Sequence, residues 1–236
     1  MLLRNPVRFG SPMPWRPAGD FEAHWAVDRE NFNLSLKGSF LGGVRSASTY
    51  RETVFRGGPP ASGELDLDLA STWQKILCLV AESQDNGFPL SEDTLTACAT
   101  SLCYGQDEAC KPAEEAKLAR NFVAYLKSVL GVEDSAKYTG SSFSGPDEQG
   151  DGTVFGKPVW DFEYPESSFF VMHDRSMGCC IAPVAPGDGV FVPLGCTYPL
   201  VLRPDGERGF RVRGYCFVHG AMHGERQTGR DYFSRY

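Results

Sequence analysis

The chain has 236 residues, 42% of them hydrophobic, and a formal net charge of −7, enough for one large or two small domains with a real core. The acidic balance speaks against a nucleic-acid binder, whose phosphate-neutralising face makes the domain basic, and removes any electrostatic pull towards anionic membranes. No apolar run approaches the roughly 18 residues that span a bilayer, and the opening MLLRNPVRFGSPMPW is too short in apolar residues for a secretory signal; the expected location is cytoplasmic, with neither nucleic acid nor membrane as partner.

In chain order, residues 1 to 62 are rich in Pro, Gly and short alternating runs. In NFNLSLKGSFLGGV, Phe32, Leu34 and Leu36 alternate with Asn33, Ser35 and Lys37, the period of a strand with one buried face. A strand around Glu22 to Val27 and a turn at Asp28 to Asn31 complete a hairpin with it. FRGGPPASG, residues 55 to 63, is a loop.

Residues 64 to 131 predict three amphipathic helices. Leu69, Trp73, Ile76, Leu77 and Val80 share one helical face. Ser91 is a natural N-cap for a helix striped by Leu95, Cys98, Ala99 and Leu102, with Gly105 as its stop. The third is expected to begin at Pro112, to be lined by Ala119, Phe122, Val123, Leu126, Val129 and Leu130, and to end at Gly131. Residues 133 to 158 are polar, Gly- and Ser-rich and acidic, too poor in apolar area to offset the ordering of their backbone, and are expected as a long flexible loop.

From residue 166 onward the pattern is all strand. SSFFVM and MGCCIAP flank the turn HDRS, and GDGVFVPL and YPLVLRP flank GCT. Two further short strands, 208 to 213 and 215 to 219, are separated by Gly214. The fold class expected is therefore α+β: a small antiparallel β-barrel formed by N- and C-terminal strands, carrying a three-helix insertion over 64–131 and a disordered loop over 133–158, in one domain spanning 1–236.

The chemistry is sparse. Cys216, His219 and His223 have the spacing C-x2-H-x3-H and residue types that zinc accepts. In a strand, however, positions three apart point to opposite faces, which separates Cys216 from His219; no metal and no cofactor are expected. The eight cysteines lack an export signal and are read as free thiols, several of them acting as small core hydrophobes. Cys179 and Cys180 are adjacent and point apart. Glu64, Asp66 and Asp68 form a solvated edge, no G-x-S-x-G elbow occurs, and the Gly-rich runs lack the lysine of a phosphate loop. Arg203 precedes the turn Pro204-Asp205-Gly206. It pairs with Asp188 or Glu225 across a barrel end, or binds an anionic ligand, the structural pairing being favoured. Asp188, Arg203, His219 and Glu225 are the candidate barrel-end cluster, without an assigned catalytic residue.

GDGVFVPLGCTYPLVLRP followed by GFRVRGYCFVHGAMHGE resembles the C-terminal region of fungal heterokaryon incompatibility (HET) proteins. The resemblance rests on Gly187, Asp188, Gly195, Pro199, Val201, Leu202, Arg203, Gly214, Cys216, Val218, His219, Gly220, Met222, Gly224 and Glu225. WRPAGD at 15–20 and LSLKGSFLGGV at 34–44 are similar to the earlier strand pair of that family. Tyr215 and His223 stand where the family usually has an acid, and the N-terminal signature of the family is absent. The resemblance implies the family's barrel region standing alone, a non-enzymatic accessory or regulatory module in non-self recognition or cell-death signalling, with an unknown protein partner or a small ligand. The alternative from another class is a small-molecule- or metal-dependent enzyme using His219 with Cys216 or Glu225.

Overall fold

The computed structural model describes residues 14–30, 33–51, 67–140, 150–157, 166–206 and 209–226. The chain divides into two compact units. Among the described residues, Tyr50–Glu166 belong to a helical unit, and Trp15–Thr49 with Ser167 onward belong to a strand unit.

The strand unit begins with β1 (Trp25–Asp28) and β2 (Asn33–Leu36), paired antiparallel as a separate two-stranded sheet with Trp25 opposite Leu36. The alternating run of the sequence thus ends at Leu36, and the barrel strand is the next segment, β3 (Gly38–Tyr50). Six strands close into a barrel: β3, β4 (Ser167–Met172), β5 (Met177–Cys180), β8 (Phe210–Val218), β7 (Leu200–Pro204) and β6 (Gly189–Pro193), in that spatial order. The barrel is antiparallel and built from N- and C-terminal strands, as the sequence predicts.

Closure depends on β3, whose 13 residues reach both neighbours. Its first half pairs with β6, from Gly38 opposite Pro193 to Gly43 opposite Gly189. Further on it meets β4, where the hydroxyls of Thr49 and Ser168 lie 2.9 Å apart. Within the β6 pairing the register shifts at Phe40/Gly42, and Gly42 has φ +149°; such a bulge bends the strand and adds twist. Gly38 is demanded by proximity, since a Cβ there would lie 2.1 Å from the Val192 carbonyl oxygen. A second shift, between Val201 and Leu202, leaves Arg213 of β8 unpaired in the register and bends β8 against β7. The sequence suggested two short strands split by Gly214; one nine-residue strand runs through it, because this glycine continues the ladder opposite Val201.

Alternation sorts the side chains. Val44, Phe170, Met172, Cys180, Val190, Val201, Cys216 and Val218 form the inner cluster, joined by Val184 and Ala221. Each fully buried apolar side chain of this size contributes roughly 1.5–3 kcal/mol. The intervening residues of β6 and β7, Phe191, Leu200 and Leu202, form a second cluster on the outer face, with Leu36 and Tyr215 packed against it. Leu36 therefore docks the two-stranded sheet onto the barrel wall.

The helical unit contains α1 (Leu67–Ala81), α2 (Glu92–Leu102), α3 (Glu115–Leu130) and α4 (Val132–Thr139). The predicted apolar stripes of the first three are buried. Ser91 caps α2 by accepting from the Thr94 N–H at 3.1 Å, and Gly105, at φ +70°, donates to the Thr100 carbonyl at 2.8 Å to close its end. α3 starts three residues later than Pro112 suggested. The reason is a loop held by Asp107, whose Oδ1 accepts from the N–H groups of Ala109 and Lys111, both at 2.9 Å. This bridges Gln106 to Pro112 and keeps Pro112 out of the helix.

The segment 133–158 differs from expectation at both described ends. Residues Val132–Thr139 form a fourth helix, α4, tied to the rest of the unit where the Leu90 N–H donates to the Tyr138 carbonyl at 2.7 Å and Phe88 meets the Tyr138 ring edge-on at 4.9 Å. Residues 150–157 pack along α3, with Phe155 fully buried against Phe122 and Tyr125 at ring separations of 4.9 and 5.4 Å. Composition missed this because one aromatic anchor suffices and because Gly150 and Gly152 are contact residues. A Cβ on Gly150 would lie 2.1 Å from the Arg120 carbonyl oxygen, and one on Gly152 2.7 Å from the Tyr125 nitrogen. Residues 141–149, the loop at 55–63, and Glu64 and Asp66 lie outside the described residues.

Candidate functional site

The barrel-end cluster is built on the tight turn between β5 and β6. Gly187 takes φ +89°, a left-handed conformation that glycine adopts at no steric cost. Its N–H donates to the Val44 carbonyl at 3.0 Å, and the Val44 N–H returns a 2.7 Å bond to the Asp188 carbonyl. The G-D pair thus stitches this turn to the middle of β3.

Continuing the β6–β7 register by one position, from Gly189 opposite Leu202, places Asp188 directly opposite Arg203. The guanidinium meets the carboxylate in two parallel bonds, Nε to Oδ1 at 2.7 Å and Nη2 to Oδ2 at 2.8 Å. This two-pronged form is the strong geometry of an Arg–carboxylate pair. Oδ2 also accepts from the Ala185 N–H at 2.9 Å. Asp188 is 2% exposed and the Arg203 side chain 37%. Of the partners that the sequence offered Arg203, the fold selects Asp188; Glu225 is used elsewhere.

His219 and Glu225 lie on the chain after β8. The His219 N–H donates to the Met177 carbonyl at 3.0 Å, extending the β5–β8 ladder by one pair. The carboxylate of Glu225 accepts from the His223 N–H at 2.6 Å, and the His223 ring meets Trp15 edge-on at 5.2 Å. Cys216 is fully buried in the inner cluster; burial, and next Cys180 and Cys179, push its thiol well above the ordinary thiol range. Cys216, His219 and His223 are not gathered at one point, and among the described residues no group of three His, Cys, Asp or Glu side chains is placed to hold a metal ion.

The exit segment has a structural task that the sequence reading did not find. The Arg16 N–H donates to the Met222 carbonyl at 2.8 Å, and Trp15 packs edge-on against Phe217 at 5.9 Å. Gly224, at φ +82°, lies where a Cβ would touch the Gly19 backbone at 3.4 Å. Arg226 reaches the β4–β5 turn, donating from Nη1 to Asp174 Oδ2 at 2.7 Å and from Nη2 to the Ser176 hydroxyl at 2.9 Å. Asp174 already organises that turn by accepting from the Ser176 N–H at 3.0 Å and from its hydroxyl. The local signal in HDRS is an Asp two residues before a Ser, a hydrogen-bonded turn pattern. The partner 52 residues away leaves no local signal.

Among the described residues no helix is long and apolar enough to cross a membrane. Comparison of the chain with family models, with curated proteins and with solved structures gives no match.

Proposed function

We propose that the chain is a non-enzymatic barrel module that acts through protein contacts, in the accessory role that its resemblance to the C-terminal region of HET proteins implies in non-self recognition or cell-death signalling. The observation that carries this reading is the state of the barrel's polar and apolar groups. Its inner residues pack on one another as a single buried cluster, as side chains fill a small barrel. The two oxygens of Asp188 take three donors from the protein itself, so the best-formed charged group of the barrel end is committed to its neighbours. The surface is then where a partner engages.

The enzyme alternative needs His219 to work with Cys216 or Glu225. Cys216 is sealed in the core and Glu225 is occupied by a backbone N–H, which favours the contact-module reading. Two experiments test it. Elemental analysis of purified protein should give no stoichiometric zinc; one zinc per chain, lost in a His219→Ala variant, would overturn it. Expression in a filamentous fungus should alter death or survival of fused hyphal compartments relative to a strain lacking the chain; identical outcomes in both strains would count against the signalling role.

A further inference from the structure

We infer that Cys180 and Cys216 form a reversible cross-strand disulfide, a redox staple inside the barrel that joins β5 to β8. The two residues are directly opposite in the antiparallel pairing of these strands. Two bonds flanking the pair fix the kind of site. The Ile181 N–H donates to the Tyr215 carbonyl at 3.2 Å, and the His219 N–H to the Met177 carbonyl at 3.0 Å. Both join directly opposed residues of the same register, so 181/215 and 177/219 are hydrogen-bonded pairs and the alternate pair 180/216 is not.

The Cys216 N–H gives independent support, because it turns the other way and donates to the Pro199 carbonyl at 3.0 Å. In a non-hydrogen-bonded antiparallel pair the Cα atoms are about 4.5 Å apart and the side chains are at their closest. That separation lies within the roughly 4.4–6.8 Å over which a disulfide spans two Cα atoms.

Direction agrees with distance. Cys180 and Cys216 both belong to the inner cluster, whereas Cys179 does not. The pleat turns Cys179 to the opposite face, towards Phe217, its partner in the register. The staple is therefore specific to 180 and 216. Both thiols are free and fully buried in the structure.

The oxidant is a low-molecular-weight disulfide. One cysteine thiolate attacks it, forming a mixed disulfide and releasing one small thiol. The second cysteine thiolate then attacks the protein-side sulfur and releases the other, so two protein thiols become one disulfide and the oxidant becomes two thiols. With both sulfurs sealed from solvent, the reaction proceeds through opening of the barrel, and partial opening accelerates it.

The test uses the whole chain with Cys78, Cys110 and Cys196, the thiols outside the buried set, alkylated beforehand. It is incubated with oxidised glutathione with and without sub-denaturing urea, then digested without reduction for mass spectrometry. The expected result is a peptide linked through Cys180 and Cys216, formed several-fold faster in urea, reversed by dithiothreitol, and accompanied by a rise in Tm of roughly 5–10 °C. A Cys216→Ala variant that folds should lose both the link and the rise; if it does not fold, the wild-type peptide map decides alone. Mixed disulfides without the 180–216 link, a link through Cys179 instead, or no oxidation even in urea would overturn the inference.

Discussion

Arg203 and Asp188 face each other across the β6–β7 edge of the barrel, joined by bonds of 2.7 and 2.8 Å between guanidinium and carboxylate. The pair is asymmetric, with the acid 2% exposed and the arginine side chain 37%. Removing the arginine strands a buried carboxylate, whereas removing both charges does not.

Arg203→Ala should therefore destabilise the barrel by roughly 2–3 kcal/mol, below the cost for a fully buried pair because the guanidinium is partly solvated. Thermal unfolding should show a Tm lower by about 4–10 °C. The double change with Asp188→Asn should recover part of the loss. An unchanged Tm in the single variant would mean that the pair contributes nothing to folding.

Gly150→Ala tests whether residues 150–157 are packed. The added methyl group would sit 2.1 Å from the Arg120 carbonyl oxygen, a backbone atom that cannot rotate away. Overpacking of this kind costs about 1–3 kcal/mol, and the expected readout is a lower urea midpoint with an unchanged m-value. A neutral substitution would show that the segment is free to lift from α3.

Asp174 links the β4–β5 turn to acid stability. Burial pushes its carboxyl up, but the Ser176 hydroxyl and N–H, together with Arg226, outweigh this and hold it below the ordinary carboxylate range. A depressed folded-state value means that the stabilisation is complete above the unfolded value and is lost as pH falls through the folded one. Asp174→Asn should destabilise the fold at neutral pH by less than about 1 kcal/mol, because the side chain is 47% exposed, and so lower Tm slightly. The gap to wild type should close as the pH drops below about 3.8, the ordinary carboxylate value. A gap of constant size down to pH 2 would contradict the assignment.

Thiol reactivity should separate the eight cysteines. Cys78 and Cys196 are exposed, while Cys98, Cys103, Cys179, Cys180 and Cys216 are buried. Burial pushes Cys103 and Cys180 up to about 12. Brief iodoacetamide treatment of native protein, read by mass spectrometry, should modify Cys78 and Cys196 and leave these five intact until denaturant is added. Fast labelling of Cys216 in native protein would show that the barrel interior is open.

Local patterns carried much of this protein. Apolar runs punctuated by turn residues placed the C-terminal barrel strands, and helical stripes placed the first three helices, because a helical stripe records which side of the element meets the core. Ser91, Gly105 and Gly131 were legible because caps and helix stops have strong residue preferences. What the sequence left open was which distant residues meet. The run 31–44 reads as one strand, yet only closure of the barrel decides that its first part leaves for a separate sheet while Gly38–Tyr50 joins the wall.

Asp188 as the partner of Arg203 and Cys180 as that of Cys216 depend on register, and register is a property of paired strands; Asp174 as the partner of Arg226 depends on where the exit segment returns to the β4–β5 turn. The segment at 150–157 looks too polar to order, but two glycines let its backbone lie on α3 and bury Phe155. Sequence by itself determined most of the elements and the buried faces of the first three helices, since these follow from local backbone preference and apolar spacing. Only tertiary structure decided the pairings, since a contact between residues tens of positions apart is chosen by the global packing that brings them together.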